Sequence, residues 1–399
     1  MAAAEPVIIR IGHADRDNQQ PFPPFNRLFE YADFFSREVS VHRGDTVNFQ
    51  TQPFSFHIVA LAADEEAARK AYPVIELNTG EAPSPATGLP TISFGDGAFP
   101  VTGGSVTGGG VVDKEKGKGP PAVGAVQFGQ SPGTFSGGDS VEVIGPVVGW
   151  DLEQRPATID QLIVIDAPPG RYAFFDMLHP GMRGTLSVVP DDEPVTTQGE
   201  IDAAAAVQFA ESRAAALAVE TFLENTPVVR GEPGDRDVTV FVGAGAADGR
   251  VLLNRMMPSR LPELVPGDRV HFLWANHSGT HTVGFAPTPD ALVSPFGFDC
   301  GDGVYQPVPN VFNVPPPSPC LRPGETEPKF LCDPGNAPSG TALGGPEDVV
   351  NSGLLIGREY GVAPVASTWS VTITDATAKG AHPFFDTVHP WMSGVLIVG

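Results

Sequence analysis

This chain is written twice, and that constrains its fold more than any other feature. Residues 174–182 read Phe-Phe-Asp-Met-Leu-His-Pro-Gly-Met and residues 384–392 read Phe-Phe-Asp-Thr-Val-His-Pro-Trp-Met. The match runs upstream to Gly170 and Gly380, and downstream through Gly184-Thr185-Leu186 and Gly394-Val395-Leu396. Earlier in each half, segments 42–61 and 265–285 share Gly-Asp-x-Val-x-Phe, starting at Gly44 and Gly267, followed by His57 or His281 in a β-branched run. A third pair, 7–12 and 238–243, opens each half. Three segments in the same order, once per half, imply a duplicated domain rather than a short solenoid repeat.

The 399 residues exceed the usual size of one hydrophobic core, so two cores are expected. With 46 Gly and 42 Pro among many short Val/Ile/Thr runs, the chain reads as strands and long loops, mostly β. One stretch differs. Thr197-x-x-Glu200 is a capping-box signature before an Ala-rich run, which predicts a helix between the halves. Ile201, Ala204, Val207, Ala214 and Leu217 fall along one face of it, and it reads as a linker packed on one domain. The expected organisation is therefore 1–195, a linker helix at 196–226, and 227–399. Between the early His and the late motif, both halves carry long Gly/Pro-rich insertions such as 99–124, expected as surface loops that cover a site or form packing surface.

A formal charge of −23 argues against nucleic acid or an anionic membrane surface as partner, because both reward basic patches. No apolar stretch is long enough to cross a bilayer, and the first residues lack the basic start and apolar core of a leader. Cys300, Cys320 and Cys332 sit together in one Pro-rich region without CxxC spacing, which favours one disulfide over a metal cluster. An oxidising compartment, extracellular or periplasmic with any leader already removed, is the corresponding expectation.

An early-strand His and a late loop carrying Asp, His and Met at i, i+3 and i+6 can converge at one end of a β-sandwich. That combination resembles the cupredoxin family, the plastocyanin- and azurin-like copper proteins, in both halves. The resemblance implies two tandem cupredoxin-like Greek-key β-sandwiches. It also implies two metal sites, the first of His57, Asp176, His179 and Met182, the second of His281, Asp386, His389 and Met392. One departure matters: the family has Cys where this chain has Asp176 and Asp386. A hard carboxylate oxygen replaces the soft thiolate, so no blue centre is expected. Two His, one carboxylate and a weak thioether suit Cu(II), Zn(II) or Fe(II) about equally by ligand type. Copper is the cofactor the resemblance implies, with the metal ion as partner and a protein partner or homo-oligomer also open.

The other reading is a metal-free scaffold used for structure or protein interaction, in which His, Pro and Met pack the sandwich end and Asp caps a turn. A third is a copper-dependent redox enzyme like the two-domain copper oxidases and nitrite reductases. Those enzymes add His-x-His ligands between domains, and no His-x-His occurs here. G-x-S-x-G, Walker and HExxH patterns are also absent. His277 offers a spare ligand to the second site, and Trp391 is expected to shield that site where Gly181 cannot. His382 stands at the position of Tyr172, while His13, His42 and His271 have no partner by sequence.

Overall fold

The computed structural model describes residues 5–16, 27–52, 56–71, 75–78, 91–94, 110–111, 133–138, 141–148, 159–177, 179–258, 261–275, 280–288, 291–292, 296–301, 304–307, 323–324, 329–332, 337, 339–353, 355–356, 368–387, 389 and 392–399. In the first half the strands are β1 (Val7–Arg16), β2 (Arg27–Phe35), β3 (Glu38–His42), β4 (Thr46–Thr51), β5 (Phe56–Ala62), β6 (Ile75–Asn78), β7 (Thr91–Phe94), β8 (Gly110–Val111), β9 (Gly133–Phe135), β10 (Val141–Val148), β11 (Ile159–Ile165), β12 (Gly170–Asp176) and β13 (Arg183–Val189). A short helix α1 (Glu65–Ala71) follows β5, and the long helix α2 (Gln198–Asn225) follows β13. The second half contributes β14 (Val229–Arg230), β15 (Asp237–Gly245), β16 (Val251–Met257), β17 (Arg269–Ala275), β18 (Thr280–His281), β19 (Gly284–Phe285), β20 (Phe296–Gly301), β21 (Val304–Pro307), β22 (Lys329–Cys332), β23 (Thr341–Ala342), β24 (Val350–Asn351), β25 (Leu355–Ile356), β26 (Thr368–Thr372), β27 (Gly380–Phe385) and β28 (Ser393–Val398).

The architecture is mostly β, with two sandwiches, as the alternating apolar runs require. Strand order repeats between halves: β2-β1-β4-β11-β9 matches β16-β15-β17-β26-β23, and β13-β12-β5-β10 matches β28-β27-β19-β24. Inward residues of the first pair of sheets, among them Ile9, Val47, Phe49, Val59, Phe174 and Leu186, form one core. Val240, Val270, Phe272, Phe285, Trp369 and Phe384 belong to the other. The shared Gly-Asp is a turn. Gly44 and Gly267 have φ of 94° and 99°, a left-handed conformation that disfavours a side chain. The Asp45 and Asp268 carboxylates then accept the backbone N–H of His42 and Val265, at 2.8 and 2.9 Å.

The halves are not beads joined by a linker. Strand β16 pairs antiparallel with β2, which makes one 11-stranded sheet across both. Its register is Val251↔Tyr31, Leu252↔Glu30 and Leu253↔Phe29. Tyr31 opposes His13 on β1 just as Leu253 opposes Ala244 on β15, so these two residues are equivalent by repeat. The seam is therefore self-complementary about Glu30 and Leu252, like a twofold interface between two copies of one domain. Insertions from the two halves also meet, because β7 pairs with β22 in a five-stranded sheet.

Helix α2 has its expected capping box, with Thr197 and Glu200 bonded reciprocally. It departs from the linker expectation by lying over the seam. Its Ala205, Ala216 and Leu223 pack with Phe29, Tyr31 and Phe35 of one half and Phe241, Leu253 and Met257 of the other. The face assignment also changes: Ile201 is buried, but Val207 and Leu217 are 60% and 54% exposed. Small and apolar residues stand on more than one side of this Ala-rich helix, so the sequence pattern does not single out the buried face. Helix α1 escaped the sequence reading because it spans only 7 residues.

Most of the 99–124 insertion and Cys320 lie outside the described residues. The β20–β22 register pairs Phe296 with Cys332 and Asp299 with Lys329. Cys300 and Cys332 therefore stand about four residues apart along the ladder, roughly 13 Å, which is too far for a disulfide between them.

Candidate metal centre

Each site is assembled from two strands and the loop that follows the second of them. His57 comes from β5, and its equivalent His281 from β18. Asp176 ends β12, and Asp386 follows β27 directly. The loops between Asp and Met are closed alike: the Asp176 N–H donates to Met182 O at 2.9 Å and the Met182 N–H to His179 O at 2.8 Å. The corresponding bonds from Asp386 to Met392 and from Met392 to His389 are 2.9 and 2.8 Å. This tight turn brings the His back beneath its own Asp.

In the first half, His57 Nδ1 lies 2.5 Å from Asp176 Oδ2, and His179 Nδ1 lies 3.3 Å from the same oxygen. In the second, His281 Nδ1 and His389 Nδ1 lie 2.7 and 3.1 Å from Asp386 Oδ2. The imidazoles face each other, with ring centroids 5.1 and 4.6 Å apart. Within each trio the potential ligand atoms all lie within 4.8 Å of one another. Six of the eight residues read as ligands from sequence thus converge. Met182 and Met392 are buried on the same loops.

The two sites differ behind the carboxylate. Asp386 Oδ1 accepts the N–H and the hydroxyl of Thr282, both at 3.0 Å, and Thr282 Oγ1 lies 2.8 Å from Thr387 Oγ1. The first half has Ile58 and Met177 at those positions, so it has no hydroxyls there. Asp176 Oδ1 instead accepts the His179 N–H at 3.1 Å, a cap on its own loop. Sequence reading missed Thr282, although a hydroxyl adjacent to a ligand His was the available signal. It also missed Gly243, the last residue of the repeated 238–243 segment. At φ 69° on a bulge, its backbone lies against the imidazole of His281, and an added Cβ would come within 2.6 Å of Nε2.

His57 and His281 are completely buried. Two expectations change. Gly181 does not leave the first site open: it packs so tightly on the Asp248–Gly249 turn of the other half that no Cβ would fit. Arg250 Nε donates to Gly181 O across this contact at 3.3 Å. Consequently the His179 side chain is 9% exposed against 18% for His389, and the more shielded site is the first. His277 and Trp391 lie outside the described residues.

Burial alone would raise the pKa of Asp176, but the attraction of His179 and His57 outweighs it and holds the carboxyl well below the usual range. Asp386 is held low in the same way by hydrogen bonds from His281 and His389 against its burial. The histidines diverge. Burial would lower His179, yet the Asp176 charge, with a contribution from Glu30 on the seam, raises it. Burial and repulsion from His389 lower His281 despite Asp386. The anionic carboxylate is thus available at both sites, and His281 favours its neutral form.

Among the other histidines, His382 Nε2 donates to Ala378 O at 2.7 Å, and Tyr172 Oη donates to Pro168 O at 2.8 Å. The equivalent residues make the same bond to a carbonyl four positions upstream, so His382 is structural. His42 and His271 bond Glu193 O and Asp237 at the surface. His13 stacks near Tyr31 and Phe209.

No known family profile matches the chain, and no curated protein matches it. Solved structures similar to it include a dithionite-reduced auracyanin from the photosynthetic bacterium Roseiflexus castenholzii, at 15% identity and TM-score 0.20, covering 47% of this chain and 100% of that one. A copper-containing nitrite reductase from Thermus scotoductus is similar at 9% identity and TM-score 0.16 over 93% of this chain and 57% of its own. The multicopper oxidase mgLAC shows 11% identity and TM-score 0.16, over 98% and 85%. Likeness at this level decides neither family nor activity, and the two-sandwich fold stands on its own strand order and cores.

Proposed function

We propose that this is a two-domain, cupredoxin-like metal-binding protein. One divalent ion, copper foremost, is held by His57, Asp176 and His179 and a second by His281, Asp386 and His389. The observation that carries this reading is the convergence, in both halves, of two imidazole nitrogens on one buried carboxylate oxygen. The donor set fits: an anionic oxygen and two nitrogens match the preferences of Cu(II), Zn(II) or Fe(II). His179 Nδ1 is buried and makes no hydrogen bond of good geometry, so its lone pair could serve a metal. Met182 and Met392 are proposed as weak additional ligands from the same loops. An exported location, extracellular or periplasmic, belongs to this reading.

Copper-loaded protein is expected to lack the intense absorption near ~600 nm that a thiolate-ligated centre gives. Asp386→Cys should introduce that band, because the new thiolate would lie between His281 and His389. An intensely blue wild type, or a folded variant that binds copper without the band, would show that the ligand assignment is wrong.

Metal uptake must also compete with protons. A raised pKa keeps His179 protonated to higher pH, whereas His281 is already neutral there. As pH falls from about 8 to 5, affinity at the first site should therefore decline earlier than at the second. Calorimetric titrations of the single-site variants Asp176→Ala and Asp386→Ala would read this, and identical pH profiles would reject it.

A metal-free scaffold is favoured by one observation, that each carboxylate already has imidazole and backbone partners inside the protein. If Cu(II), Zn(II) and Fe(II) all fail to bind purified protein by elemental analysis, these trios are buried polar networks that specify the sandwich ends.

A further inference from the structure

We propose that the outward face of α2 is a self-association surface on which a second copy of this chain packs its own α2 antiparallel. Ala203, Val207, Ala210, Ala214, Leu217 and Thr221 are all exposed, and they recur at alternating spacings of four and three, the seam pattern of paired helices. Phe222 beside them is 67% exposed, beyond Val207 and Leu217 at 60% and 54%. The opposite face is already used against the seam of the 11-stranded sheet. The stripe carries no charge over about five turns, on a chain with net charge −23.

Charge placement selects the occupant. Arg213 and Glu220 stand seven residues apart on one flank of the stripe. In an antiparallel pair like flanks face each other, so Arg213 of each copy meets Glu220 of the other, giving two reciprocal ion pairs. The same alignment sets Leu217 against Ala214 and Thr221 against Ala210, so the uncharged overlap spans 210–221 and the helices can approach closely there, while Val207 of each copy meets Glu224 of the other at its two ends. A membrane surface is disfavoured, since Arg213 is the only basic side chain on the 28-residue helix. Packing of this length would hide on the order of 1,000 to 1,200 Å² in total, at the lower limit of specific interfaces, so the dimer should be of micromolar strength.

Sedimentation equilibrium of the full chain from about 1 to 200 µM should show a monomer–dimer equilibrium. Leu217→Glu should abolish the dimer with the melting temperature unchanged, because that side chain does not touch the core. Arg213→Glu and Glu220→Arg should each raise Kd by about tenfold, and the double exchange Arg213→Glu/Glu220→Arg should restore it. A wild type that stays monomeric throughout, a dimer indifferent to Leu217→Glu, or a double exchange without recovery would each overturn the proposal. Metal content plays no part in the outcome.

Discussion

Asp176→Ala combined with Asp386→Ala is expected to abolish the thermal stabilisation that copper confers on the wild type. A ligand that binds only the folded state adds RT ln(1 + [L]/Kd), about 2.7 kcal/mol at a hundredfold excess over Kd, or about 5 to 10 °C for a domain of this size. The quantity to compare is the difference between metal-loaded and metal-free melting temperatures within each protein, by calorimetry. This matters because His57, His281, Asp176 and Asp386 are all buried. Any truncation there also lowers the metal-free stability, by leaving imidazole donors without an acceptor or by opening a cavity. Histidine-to-alanine exchanges alone would not separate ligand from packing residue, whereas the metal-dependent increment does. An undiminished increment in the double variant would place copper elsewhere.

Asp268→Ala should be among the most destabilising single changes in the chain, by about 3 to 5 kcal/mol, read as a lowered urea midpoint. Its carboxylate is fully buried and accepts the backbone N–H groups of Gly234, Arg236 and Val265 as well as two bonds from the Arg236 guanidinium. Removing it leaves a nearly buried cation and three N–H groups without their partner. The repeat equivalent Asp45 is half-buried and accepts one N–H from His42, so Asp45→Ala should cost only about 1 kcal/mol. Equal losses from the two variants would mean that the ion pair with Arg236 adds nothing to the shared turn.

Much of the fold was legible because duplication repeats every constraint. The Gly-Asp turn, the β-branched runs and the Phe-Phe-Asp strand end each occur twice in one order, and together they imply two sandwiches. The candidate site was legible for the same reason: His57 lies far in the chain from the Asp176–His179 loop, yet both have counterparts in His281 and the Asp386–His389 loop. The equivalence of Tyr172 and His382 was visible as alignment, although their shared bond to a carbonyl was not.

Sequence alone determined the local terms: strand periodicity, the repeated Gly-Asp motif, the capping box of α2 and the chemistry of the donor set. Tertiary structure decided everything that depends on which surfaces meet. No local pattern says that β2 and β16 fuse two sheets around Glu30 and Leu252, because an edge strand and a paired strand carry the same alternation. The exposed face of α2 was likewise undetermined, since a helix with apolar residues on more than one side takes its orientation from the seam it covers. Shielding of the first site came from Asp248 and Gly249 in the other half, a contact between residues distant in sequence that only packing creates.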